Sequence, residues 1–138
     1  MLRCGIDLID IARVAAGIER HGERFLQRFF TPGERADCED RAGRLAARLA
    51  AKEAVAKALG TGIGTVSWRD IEVRCESASG RPRLQLHGAA AAVAAGLGLT
   101  HWDLSLTHTA GQAAAIAVAQ RGSDPRYNAP GRQQPEDQ

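Results

Sequence analysis

Leu2, Ile6, Leu8 and Ile9 stand among Arg3, Asp7 and Asp10, with Gly5 between them. The stretch Leu2 to Ile11 is short and rich in aliphatic and β-branched residues, which predicts a strand with Asp7 inside it. Arg13 to His21 and Glu23 to Phe30 read as short helical turns. Thr31-Pro32-Gly33-Glu34 then supplies an N-cap, a first-turn proline and a capping-box glutamate, so a helix starts there. The clearest element is Arg41 to Leu59, rich in Ala and Leu and closed by Gly60, which predicts one long helix. After the glycine-rich loop Thr61 to Thr65, the segment Asp70 to Glu76 alternates Ile71, Val73 and Cys75 with charged residues, as a half-buried strand does. Ser77 to Pro82 turns the chain, and Arg83 to His87 returns as the second arm of a hairpin.

Ala89 to Ala95 reads as a short helix, and Trp102, Leu104 and Leu106 alternate with polar residues in a further strand. Ala110-Gly111 turns into Gln112 to Ala119, an apolar run expected at the centre of the sheet. The fold class is α+β: a small, mainly antiparallel sheet packed on one face against a long helix and shorter helices. No internal repeat is present. From Arg121 to Gln138 almost nothing can be buried, which predicts a polar, disordered tail behind a single domain over residues 1–120.

With 138 residues the chain suits one hydrophobic core. Lys and Arg number 18 against 16 Asp and Glu, a net charge of +2, far from the excess of a dedicated nucleic-acid binder. An anionic ligand must therefore meet a local basic cluster. Cys4, Cys38 and Cys75 are widely spaced without a CxxC pair, so reduced thiols are expected. Asp7 and Asp10 interrupt what a signal peptide would need to be apolar, and no run reaches the ~18 residues of a membrane helix. A cytoplasmic location without membrane contact is expected.

Asp7 sits among Ile6, Leu8 and Ile9, where a carboxylate needs compensation from a cation or a helix N-terminus. On the long helix Arg44, Arg48 and Lys52 recur every four residues as one basic ridge, and Lys57 follows Glu53 at the same spacing. Arg41, Arg44, Arg48, Lys52 and Lys57 are offset there by Glu53 alone, which suits a phosphate-rich ligand. Amides of the loop Gly60 to Gly64 could cradle a phosphate, although a helix C-cap accounts for Gly60 equally well. His108, at a strand end, could donate to a phosphate. His101, an odd spacing away, faces the other side and does not share a metal with it.

Three segments together resemble the holo-acyl-carrier-protein synthase family, the small 4′-phosphopantetheinyl transferases. They are Gly5-Ile6-Asp7 with Ile11-Ala12-Arg13, the run Arg48-Leu49-Ala50-Ala51-Lys52-Glu53-Ala54-Val55-Ala56-Lys57-Ala58-Leu59-Gly60-Thr61-Gly62, and Ser105-Leu106-Thr107-His108-Thr109. The resemblance implies the phosphopantetheinyl transferase fold. It also implies transfer of 4′-phosphopantetheine from coenzyme A to a serine of an apo acyl carrier protein, with release of adenosine 3′,5′-bisphosphate. It implies Mg²⁺ on Asp7 and Glu53, and Glu53 and Lys57 as the catalytic pair, with Glu53 either a base or only a metal ligand. Arg48, Lys57, Gly60, Thr61, Gly62 and His108 would hold the coenzyme, and Arg13, Arg24, Phe25 and Arg28 the acidic carrier. A homotrimer with active sites between subunits is implied as well. Two alternatives stand beside this: the same chemistry on a carrier of secondary metabolism, and a non-catalytic anion- or RNA-binding α+β module. Aromatic residues at 4% of the chain, without paired exposed aromatics on a strand, make the RNA reading distant.

Overall fold

A computed structural model describes residues 1–122. The chain runs β1 (Leu2–Asp10), α1 (Ile11–His21), α2 (Glu23–Phe29), α3 (Pro32–Cys38) and α4 (Ala42–Leu59), then a 3₁₀ turn over Trp68–Asp70. The hairpin β2 (Ile71–Cys75) and β3 (Pro82–Leu86), α5 (Gly88–Leu97), β4 (Leu99–His108) and β5 (Gln112–Arg121) follow. Strands β1, β5 and β4 form one antiparallel sheet in that order, with the apolar β5 central as its sequence predicts. The hairpin makes a second, separate two-stranded sheet, so the single sheet expected from sequence is divided in two. Ile11 opens α1 instead of ending β1, and β5 continues through Arg121, one residue into the expected tail. The remainder of that tail, 123–138, lies outside the described residues.

Local chemistry places these elements. Thr31 and Glu34 form the reciprocal capping box at the start of α3, and Gly60 closes α4 in the left-handed conformation, with φ of 79°. Alanines Ala50, Ala51, Ala54 and Ala58 are buried, so α4 lies close on the inner face of the three-stranded sheet. That helix divides the core. One part fills the space between α4, both sheets and α5, and the other packs Val14, Leu26, Phe30 and Leu45 among α1 to α4.

Among the described residues, no helix covers the opposite face of the three-stranded sheet. Ile6 and Ile116 are paired across β1 and β5 and are 66% and 41% exposed, with Leu8 beside them at 62%. This apolar stripe was not anticipated, because alternation along β1 does not say which face a helix will cover.

Candidate active site

The site begins with a close approach. A Cβ on Gly5 would stand 1.9 Å from the Ala54 carbonyl oxygen, so β1 can lie against α4 at this distance only with glycine there. Two residues further, Asp7 falls on the same strand face, while α4 presents Glu53 next to Ala54 and Lys57 one turn later. The Lys57 Nζ donates to the Ile6 carbonyl at 2.8 Å and to Asp7 Oδ1 at 3.3 Å. Burial raises the pKa of Glu53, the negative charge of Asp7 raises it further, and Lys57 opposes both. Asp7, Glu53 and Lys57, singled out from sequence, are thus brought together.

Two neighbouring carboxylates, one already disfavoured in its charged form by the other, make a donor set that a hard cation would relieve. Mg²⁺ takes few carboxylates and fills its shell with water and phosphate oxygens. Among the described residues no three His, Cys, Asp or Glu side chains converge. Asp7 and Glu53 are the side chains that could hold such a cation, and a pair of carboxylates fits what Mg²⁺ takes from a protein.

The carboxylates open into a cleft of about 300 Å³ walled by Leu49, Phe25, Phe29 and Trp68, with Arg13 also lining it. The Phe25 and Phe29 rings meet at a 47° tilt with 4.7 Å between centroids, and Phe29 meets Trp68 edge-on at 5.1 Å. A second groove of about 300 Å³ lies beyond, formed by His21, Arg24, Phe25, Arg28 and Phe29. Of the residues expected to meet a carrier, Arg24, Phe25 and Arg28 share this groove, and Arg13 shares the cleft with Phe25. Sequence reasoning missed Phe29 and Trp68, which are distant in the chain and meet only through the 3₁₀ turn.

Arg48 and His108 occupy a different cleft, of about 360 Å³, together with Arg44, Asp37 and Cys75. Arg48 Nη2 contacts Cys75 Sγ at 2.9 Å, and its Nε is buried without a partner. Within one chain the residues expected around the coenzyme are therefore divided. The reason is helical geometry, since positions 48 and 53 lie about 140° apart around α4.

Two expectations need correction. Lys52 does not belong to an exposed basic ridge: it is completely buried, and its Nζ donates to Glu34 Oε1 at 2.7 Å, the Ile71 carbonyl at 2.6 Å and the Trp68 carbonyl at 3.0 Å. Glu34 also accepts from the Thr31 and Val73 amides, so one carboxylate caps α3 and ties it to α4 and β2. Nor are the loop amides free for a phosphate. Those of Gly60, Thr61 and Gly62 turn back onto the last carbonyls of α4, at Lys57 and Ala56. The Thr61 hydroxyl is buried without a partner.

The model of the 4′-phosphopantetheinyl transferase superfamily matches residues 3–119. The holo-(acyl-carrier-protein) synthase of Herpetosiphon aurantiacus is 47% identical over 125 residues, covering 86% of this chain and 98% of that protein. That of Beutenbergia cavernae is 50% identical over 117 residues, covering 85% and 96%. Among solved structures, the Helicobacter pylori holo-(acyl-carrier-protein) synthase in complex with coenzyme A superposes with a TM-score of 0.77 at 33% identity, covering 85% of this chain and 99% of that one. With a match over most of its length and the same fold, this chain belongs to the 4′-phosphopantetheinyl transferase superfamily.

Proposed function

We propose that this protein transfers 4′-phosphopantetheine from coenzyme A to a serine of an apo acyl carrier protein, giving the holo carrier and adenosine 3′,5′-bisphosphate. The observation that carries this reading is the contact of Gly5 with Ala54, which sets Asp7, Glu53 and Lys57 on one small patch. Relatives close to half identical are holo-(acyl-carrier-protein) synthases, and a structural neighbour holds coenzyme A. In the reaction a bond forms between the serine Oγ and the phosphorus of the phosphopantetheine arm. The pyrophosphate P–O bond breaks, and its electron pair leaves on the bisphosphate.

Such a transfer needs positioning and neutralisation of charge more than covalent help. Lys57, pinned by the Ile6 carbonyl, places an ammonium beside the carboxylates, where it meets the negative charge growing on the pyrophosphate. Glu53 accepts the serine proton, directly or through water. Asp7 and Glu53 would hold Mg²⁺, which when bound would supply positive charge to the phosphate oxygens. Arg48 and His108 provide polar side chains of a second cleft for the nucleotide end.

Arg13, Arg24 and Arg28 around Phe25 form the docking surface for the acidic carrier, combining charge with one apolar anchor. The proposed substrate is the carrier of fatty-acid synthesis, in the cytoplasm; among the described residues no helix is long and apolar enough to cross a membrane. The chain works as a homotrimer, residues 1–120 forming its one catalytic domain. Support comes from the bare stripe of Ile6, Leu8 and Ile116, and from the separation of the Arg48–His108 cleft from the carboxylates within one chain. In sedimentation, Ile6→Asp is expected to convert a trimer to monomers, and a wild-type monomer at assay concentration refutes the assembly. Chromatography of a reaction containing coenzyme A, Mg²⁺ and an apo carrier of fatty-acid synthesis is expected to show release of adenosine 3′,5′-bisphosphate. Release only with a carrier of secondary metabolism reassigns the partner, and release with neither refutes the activity.

A further inference from the structure

Gly17 sits in the interior of α1, where alanine would be the better helix former. Its backbone is right-handed helix, so conformational freedom does not account for the residue. The reason lies across the turn into α2. A Cβ at position 17 would stand 2.3, 2.6 and 2.8 Å from Cε2, Cδ2 and Cζ of Phe25. The Phe25 ring occupies the space where a side chain would be.

That ring forms a wall of both the Arg24–Arg28 groove and the cleft holding Asp7 and Glu53. It also packs at a tilt against Phe29, which in turn meets Trp68. We propose that Gly17 is a positioning residue for carrier recognition: its missing side chain seats Phe25 as the partition between groove and cleft, directing a docked carrier loop toward Glu53. The inference rests on the proposed role of the Arg24–Phe25–Arg28 groove as the carrier surface. Moving the ring from 2.3 Å to the 3.4 Å of ordinary contact shifts it by roughly 1 Å, enough to misplace a partner held by one aromatic anchor.

The test is a cycle of Gly17→Ala, Phe25→Ala and the double variant, read by steady-state kinetics with apo carrier and by calorimetric coenzyme A binding. Gly17→Ala is expected to raise the carrier KM about tenfold, with kcat within about twofold, coenzyme A affinity unchanged and helicity undiminished. Phe25→Ala should raise the carrier KM on its own, and Gly17→Ala should add nothing in that background. If Phe25→Ala leaves the carrier KM unchanged, the groove is not the carrier surface and the underlying reading fails. If Phe25→Ala raises it while Gly17→Ala does not, or the two effects simply add, the carrier surface stands and the role of Gly17 is overturned. Should Gly17→Ala fail to fold, Gly17→Ala/Phe25→Leu decides the matter: recovery of folding supports the steric seat, and continued misfolding overturns it.

Discussion

Gly5→Ala is the smallest change that reaches the chemistry without touching a charged group. Its new methyl would meet the Ala54 oxygen at 1.9 Å, the Ala54 carbon at 2.8 Å and the Ala58 nitrogen at 3.0 Å. All three are backbone atoms of α4, so no rotamer change relieves the clash. Restoring 3.4 Å of ordinary contact separates β1 from α4 by roughly 1.5 Å. The 2.8 and 3.3 Å bonds from Lys57 to Ile6 and Asp7 then lengthen beyond hydrogen-bonding range. Overpacking of this kind costs ~1–3 kcal/mol, or roughly 3–15 °C in Tm for a chain of this size. A 1 Å displacement in a site costs about a hundredfold in rate, so kcat for holo-carrier formation at 25 °C should fall by that factor or more while circular dichroism still shows a folded protein. Gly96→Ala is the control, because nothing lies within 4 Å of its Cβ position and α5 gains a better helix former. A folded Gly5→Ala enzyme with kcat within threefold of wild type, or an equal loss in Gly96→Ala, would refute the packing argument.

Three further outcomes follow from the same geometry. Lys52→Met strands the buried Glu34 carboxylate and should cost ~3–5 kcal/mol in urea unfolding, whereas adding Glu34→Gln should recover part of that loss; fully additive costs would contradict the coupled pair. Glu53 has a folded pKa above its ordinary 4.5, so wild type without metal loses stability as pH rises from 4.5 through the raised value, and Glu53→Gln escapes that loss. In chelator, the variant should melt higher than wild type near pH 7 and alike below pH 4.5, and a difference independent of pH would sink the assignment. Arg24→Glu should slow carrier association without changing coenzyme A affinity, and salt should slow wild type more steeply than the variant as the Debye length shrinks to roughly 8 Å; parallel salt slopes would place the docking surface elsewhere.

Local signals were legible where local chemistry decides the outcome. Thr31, Pro32 and Glu34 announce the start of α3 because the cap closes within four residues, and the unbroken apolar run of β5 announces a central strand. Asp7 was legible as a carboxylate in need of a partner. Lys52 was not legible as a core residue, because its charge is met by Glu34 eighteen positions earlier and by two carbonyls beyond the following loop. Similarly, Gly60-Thr61-Gly62 reads like a phosphate cradle until its amides are followed back to α4. The division of Arg48 and His108 from Glu53 depends on rotation around α4 and on where β4 ends, neither of which a linear motif records.

Intact-mass spectrometry of the carrier reads whether the patch formed by Asp7, Glu53 and Lys57 carries out phosphopantetheine transfer. Apo acyl carrier protein incubated with coenzyme A, Mg²⁺ and wild-type enzyme should gain the mass of one phosphopantetheine on its serine. Under the same conditions folded Asp7→Ala, Glu53→Ala and Lys57→Ala enzymes should leave the carrier unmodified over many wild-type turnovers. An unmodified carrier with wild type, or a carrier converted at the wild-type rate by any of the three variants, would contradict the account.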